Sequence, residues 1–260
     1  MAKRERVWNR SVYDRYLREG RGCGSGSGYA PWIWIQNFAS NGIVSRVKGR
    51  KTERIHHLMS KNELAYFYLL DWSDDVLDIR EQYPLLDLET AQKAASQAGI
   101  KYPTDNISGF PYVLTCDFMI TTLKGLKART IKLSSELNDK RVLEKLEIER
   151  RYWLIYGIDW KIATEKEISY VIAKNIEWVY SVQGFDIENI YKAESDAMFA
   201  MFDNSHCSAA EIVRKIEAEY SLSEGVGLAL FKYLLFKKYI NVDLGKPLSL
   251  NGIKKVSVLR

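Results

Sequence analysis

Two segments of this chain place charge where the surrounding residues ask for burial. Tyr112-Val113-Leu114-Thr115-Cys116-Asp117-Phe118-Met119-Ile120-Thr121 is rich in β-branched and aromatic types, and Lys127 to Ser134 contains Thr130-Ile131-Lys132-Leu133. A carboxylate in an apolar strand is costly unless a cation meets it. Lys124-Gly125 lies between the segments, and a hairpin loop of two or four residues centred there sets Asp117 opposite Lys132 and Met119 opposite Thr130. Side chains alternate along a strand, so Asp117, Thr130 and Lys132 share one face.

A carboxylate beside an amine in this setting has the layout of a metal-dependent phosphodiesterase site. Such chemistry needs oxygen ligands for a divalent ion near the phosphate, a group to orient or activate water, and positive charge for the transition state. Asp117 supplies one ligand, the Ile131 carbonyl another, and Lys132 serves the water or the charge. Mg²⁺ suits an oxygen-only site that keeps waters. A second carboxylate is required, and Glu63, at the start of an apolar helix, is the candidate. Two roles are open to it, because Ser60-Lys61-Asn62-Glu63 is also a capping box. Asp117 with Lys132 likewise has a plain alternative, a buried structural ion pair.

Elements that would position these groups follow from pattern. A short helix is expected over Val12–Arg18, strands over Trp32–Asn37 and Ile43–Lys48, and a helix from Ser60 through Leu64–Leu70. Val76–Tyr83 reads as a strand stopped by Pro84, and residues 87–109 as irregular with one short helix. After the hairpin come an amphipathic helix over Asp139–Tyr156 and a strand over Asp159–Ala163. A further helix opens at Thr164-Glu165-Lys166-Glu167 with Ile168, Val171, Ile172, Ile176 and Val179 inward. Alternate glycines from Gly20 to Gly28 match no phosphate loop and read as a flexible surface loop in which Arg21 could touch a DNA backbone.

The remainder has its own character. Helices over Ser208–Tyr220 and Glu224–Lys238, then a small β-wing, give a winged-helix order. The second of these helices is apolar (Leu230, Phe231, Leu234, Leu235, Phe236), which favours docking to protein over reading of base edges. The fold class is thus α/β: a mixed-sheet domain over residues 1–165 and a winged-helix-like domain for partner docking over 166–260.

Charge narrows the partners. The net charge is +5, yet residues 1–60 carry twelve Lys/Arg against four Asp/Glu, a balance of +8, so the other 200 residues sum to −3. A basic third points to a nucleic acid, with Arg21, Arg46, Lys48, Arg50 and Lys51 as phosphate contacts; a merely solvated basic face is the alternative. No stretch has the length of a membrane span, and no apolar core follows the basic N-terminus, so a cytoplasmic location is expected. Three scattered cysteines argue against a disulfide framework or a zinc site. His56 and His57 are adjacent and point opposite ways in a strand. Of Glu144, Glu147 and Glu149, one could face the site, and the sequence does not say which.

Longer strings carry a resemblance: Arg18-Glu19-Gly20-Arg21-Gly22, His56-His57-Leu58, Val76-Leu77-Asp78-Ile79-Arg80-Glu81-Gln82-Tyr83-Pro84-Leu85, the helix segment Leu143 to Trp153, and Asn175 to Val182. Through most of residues 15–182 the chain resembles TnsA, the endonuclease subunit of heteromeric cut-and-paste transposons. The resemblance implies a restriction-endonuclease-like catalytic domain and a C-terminal winged-helix domain. It also implies a helix glutamate, a strand aspartate and a strand lysine as active-site residues, matching Glu63, Asp117 and Lys132. Two Mg²⁺ ions, replaceable by Mn²⁺, are the implied cofactor. The implied role is cleavage at the 5′ ends of the element, while a TnsB-like transposase processes the 3′ ends and a TnsC-like ATPase licenses both. One departure stands out. Restriction-type nucleases usually carry an acid two residues before the lysine, TnsA-like proteins tend to have Gln, and this chain has Thr130, a poorer metal ligand. A non-catalytic assembly protein bridging DNA and the ATPase is the alternative that Thr130 supports.

Overall fold

A computed structural model describes residues 7–37, 44–204, 207–253 and 255–259. The chain divides into two units, Met1–Ile168 and Ser169–Arg260.

The first unit is built on a four-stranded sheet in the order β3 (Val76–Pro84), β4 (Thr115–Thr122), β5 (Gly125–Ile131) and β6 (Asp159–Ala163). The first three strands run antiparallel and β6 joins β5 in parallel. Helix α4 (Lys140–Ile155) makes the crossover that a parallel neighbour requires. Its Asp139 cap accepts from the amides of Arg141 and Val142. Tyr152 and Trp153 of α4 pack with Leu85, Cys116, Met119, Ala128 and Ala91, the last from α3 (Leu88–Gln97). Helix α2 (Lys61–Trp72) buries Phe67 fully, and its Tyr66 ring meets Phe118 of β4 at 5.8 Å between centroids. A separate hairpin, β1 (Ser45–Lys48) with β2 (Ile55–Leu58), carries the basic residues Arg46 and Lys48 on exposed positions.

Several expectations are corrected here. Trp32–Asn37 is not a strand: it forms bends and a 3₁₀ turn over Ile35–Asn37, because Trp32 is buried in an aromatic cluster with Trp8, Tyr13 and Tyr16. The expected strand start at Ile43 lies outside the described residues. The glycine run is folded rather than loose. Gly22 donates to the Ala30 carbonyl at 2.6 Å, and a Cβ there would stand 2.3 Å from the Pro84 ring, so only glycine permits the approach. Arg21 is 4% exposed, paired with Glu19 at 2.7 Å and flanked by the Tyr16 and Trp34 rings; it closes α1 (Arg10–Arg18) on its surroundings instead of meeting a duplex.

The hairpin register also differs. Thr122 pairs with Gly125, and Met119 faces Ala128 rather than Thr130. The loop is Leu123-Lys124, and Gly125, with φ +110°, opens the second strand instead of sitting in the turn. The slip is two residues, an even number, so side chains keep their faces. Asp117 lies level with Thr130, one step past the Phe118–Arg129 pair, and Lys132 follows two residues on.

At the end of the first unit Thr164 and Glu167 do bond each other, but the helix starts later, in the second unit, at α5 (Tyr170–Tyr180) capped by Ser169. Val171 is exposed, not inward. A short α6 (Ile187–Ile190) and α7 (Lys192–Asn204) come next, two helices the sequence reading did not resolve. Then follow α8 (Ala209–Glu219), closed by a Ser208–Glu211 capping box, α9 (Val226–Phe236), and two-residue strands β7 (Ile240–Asn241) and β8 (Ser257–Val258). Leu230, Phe231, Leu234 and Leu235 of α9 are buried with Ile176, Met198, Phe202, Ile212 and Ile216. The apolar character of α9 therefore fills this unit's own core and is not an open docking face. Among the described residues no helix is long and apolar enough to cross a membrane.

Candidate active site

Glu63 belongs to the first turn of α2. Ser60 caps the helix by accepting from the Glu63 amide at 3.1 Å, and the Glu63 carboxylate accepts from the Ser60 hydroxyl (2.9 Å) and the Met59 amide (2.9 Å). The cap does not exhaust the carboxylate. Glu63 also lines a cleft of about 790 Å³ with Asp117, Lys132, Thr130, Gln82 and Glu149. Both roles left open for Glu63 are therefore compatible in one geometry.

Asp117 is delivered by β4 where the ladder to β5 gives out. Its Oδ2 accepts from the Ile131 amide at 2.6 Å, and its Oδ1 from the Gln82 amide at 3.3 Å. Lys132 follows the last residue of β5 and is fixed by its own amide, which donates to the Ala163 carbonyl of β6 at 3.1 Å. Burial pushes Glu63 up to about 8, and the neighbouring Asp117 charge adds to this. Burial also raises Asp117, against the pull of Lys132. The Lys132 amine is raised chiefly by the Asp117 charge, with burial opposing. Two acids, both disfavoured as anions, thus face one cation. That is a shortage of positive charge.

A hard divalent ion answers that shortage. Among the described residues no three His, Cys, Asp or Glu side chains form a metal-holding group by themselves. The donor set is two carboxylates, Glu63 and Asp117, with the Ile131 carbonyl as the third candidate, since Ile131 borders the same region as Glu63 and Lys132. Few carboxylates with a carbonyl and waters fit Mg²⁺, so the residues present suit that ion.

Thr130 is differently employed. Its hydroxyl donates to Glu149 at 2.6 Å, and the Trp160 ring N–H lies 3.3 Å from both. Thr130 thus donates its proton to Glu149 and shares the one Trp160 N–H, so its hydroxyl is engaged within the fold. Glu149 of α4 lines the same cleft; it is buried and pushed up to about 8, first by burial and further by Asp117. Glu144 and Glu147 pair with arginines on the outside of the same helix.

Two features escaped the sequence. Gln82 bridges the acids, donating to Glu63 at 3.4 Å as well as to Asp117. Its neighbour Glu81 is fully buried and holds Arg54 in a two-point pair, His56 Nδ1 at 2.8 Å and the His57 amide at 3.0 Å. Thr52 Oγ1 lies 2.7 Å from the other His56 ring nitrogen, while His57 turns the opposite way to accept from the Ile35 amide. The remaining proposed DNA contacts sit on or beside the β1–β2 hairpin: Arg46 and Lys48 are exposed, whereas Arg50 and Lys51 are half-buried with their amides donated to Asp71.

Comparison with known proteins agrees with a nuclease. A family description, TnsA-like endonuclease N terminal, matches residues 73–165, a span that includes Asp117 and Lys132. A second, TnsA endonuclease C terminal, matches residues 167–244. The transposon Tn7 transposition protein TnsA of Escherichia coli is 36% identical over 255 residues, covering 96% of this chain and 92% of the relative. The class is therefore endonuclease. Within that class, the chain belongs to the TnsA family.

Proposed function

We propose that this chain is a Mg²⁺-dependent endodeoxyribonuclease of a transposase complex that hydrolyses the phosphodiester at the 5′ ends of a transposon. The observation behind the reading is the convergence of Glu63, Asp117 and Lys132, from a helix, a strand and a strand end, on one cleft. Glu63, Asp117 and the Ile131 carbonyl would hold the ion, which supplies a Lewis acid for the phosphate oxygens and a polarised water. Lys132 brings fixed positive charge to the transition state and a donor for the attacking water. The water oxygen bonds to phosphorus, the bond to the 3′ oxygen breaks, and the proton released by water ends on that departing oxygen. The products are a 5′-phosphate and a 3′-hydroxyl.

Supporting groups follow. Exposed Arg46 and Lys48 would track phosphates without reading sequence, with Arg50 and Lys51 beside them. Sequence choice then falls to a TnsB-like transposase, and licensing to a TnsC-like ATPase. The first unit has a restriction-endonuclease-like arrangement, and the helix, helix, short-hairpin order of α8, α9, β7 and β8 supports a winged-helix-like second unit.

The test is strand-resolved mapping of cuts on transposon-end DNA with both partners present. Wild type cuts the 5′ ends, and Asp117→Ala abolishes those cuts while 3′ processing persists. Undiminished 5′ cleavage by Asp117→Ala sinks the reading.

A further inference from the structure

Gln82 is anomalous twice over. Among the described residues four non-glycine positions have positive φ; Glu53, Ser221 and Lys238 lie in turns or loops, whereas Gln82, at +48°, lies within β3. Such strain persists where the surroundings over-determine it, and it clusters at functional sites. The surroundings here are explicit. The Glu81 carbonyl accepts from the Tyr29 hydroxyl at 3.0 Å and the Gln82 carbonyl from the Trp32 amide at 3.3 Å. On the side-chain side, Glu81 is pinned by Arg54, His56 and the His57 amide.

The side chain this kink delivers is fully committed. Gln82 lies level with Asp117, between the registered pairs Glu81–Phe118 and Tyr83–Cys116. Its oxygen accepts from the Thr115 hydroxyl at 3.2 Å, which orients the amide and turns the NH₂ toward the two acids. One donor group then spans Glu63 on α2 and Asp117 on β4. Ser60 and Met59 hold Glu63 from one side and the Ile131 amide holds Asp117 from another; Gln82 is the group the two acids share.

We infer that Gln82 is a positioning residue: its amide, aimed by a strained main chain, holds Glu63 and Asp117 in the mutual orientation that binds the divalent ion. This rests on the nuclease reading in that the two acids are taken as the ion's ligands. Partners that orient ligands in this way typically govern metal affinity by about 10–100-fold.

The experiment is calorimetric titration of the full chain with MnCl₂, alongside thermal unfolding without metal. Gln82→Gly removes the amide and relieves the main-chain strain; Gln82→Met keeps the side-chain length and removes the donors. Each is expected to weaken Mn²⁺ binding by about 10–100-fold, and Gln82→Gly to do so with an unfolding midpoint no lower than wild type. A purely structural role would move the midpoint and leave the affinity alone. Gln82→Glu reverses the sign: a further acid beside Glu63, Asp117 and Glu149 lowers the metal-free midpoint, and Mn²⁺ restores it by more than it raises wild type. Mn²⁺ affinity within twofold of wild type in whichever of the Gly and Met variants folds overturns this inference alone, provided that Asp117→Ala abolishes binding. Wild-type binding that is absent or independent of Asp117 overturns both this inference and the nuclease reading.

Discussion

Glu81 is a buried acid and Asp117 a half-buried one in neighbouring strands of one sheet, and the chain treats them in opposite ways. Glu81 is surrounded by donors. Burial works against its anion, yet Arg54 and His56 overcome that and bring the carboxyl down to about 2. Asp117 shares its single cation with Glu63, and burial keeps its carboxyl above the ordinary range. The first acid is complete within the fold. The second is left short of positive charge, which a structural ion pair has no reason to be and a metal ligand has. Saturation of partners, more than burial, separates an acid that builds the protein from one that works in it.

That contrast can be broken by substitution. Glu81→Gln leaves Arg54 buried without its counter-charge and should cost roughly 3–5 kcal/mol of stability, read from urea unfolding. No comparable loss would mean that the network is ornamental. Lys132→Ala should instead leave the fold intact and slow 5′-strand cleavage by roughly 10²–10³-fold, the usual consequence of removing one group that stabilises transition-state charge. The acid limb sharpens the point. Glu81 has a folded value below its unfolded one, so its contribution is full above about pH 4.5 and is lost as pH falls toward about 2. Unfolding free energy should therefore drop by roughly 3 kcal/mol across that window in wild type and stay flatter in Glu81→Gln. Asp117 has the reverse sign, because its folded value is raised. Asp117→Asn should stabilise the metal-free chain at neutral pH, and a destabilised variant would place Asp117 with the structural acids. Smallest is the hairpin: Arg46→Ala and Lys48→Ala should each lower the salt slope of DNA binding by about one, uniformly across sequences.

What could be read in advance depended on whether a residue's role is local. The Ser60–Glu63 box and the α/β alternation are written in consecutive residues, so pattern is enough to name Glu63, Asp117 and Lys132 as candidates, and the structure places all three on one cleft. Gln82 was not legible, because a neutral side chain inside a strand advertises nothing until its main chain is seen at positive φ. Glu149 was one of three acids on α4, and the rotation of that helix against the sheet is a tertiary quantity. The hairpin register failed by two for a similar reason. Lys124-Gly125 reads as the turn in sequence, whereas the left-handed geometry of Gly125 serves the first position after the turn. Helix α9 shows the converse: its apolar residues suggest a docking face in sequence, and Leu230, Phe231, Leu234 and Leu235 fill the core of their own unit.

The double employment of Glu63 has a kinetic consequence. The same carboxylate that would hold the ion also secures the Met59 amide and the Ser60 hydroxyl at the entrance to α2. Fraying of that first turn, a sub-microsecond event in isolated helices, therefore withdraws a ligand whenever it occurs. A captured ion would keep the turn wound, and a frayed turn would let the ion go.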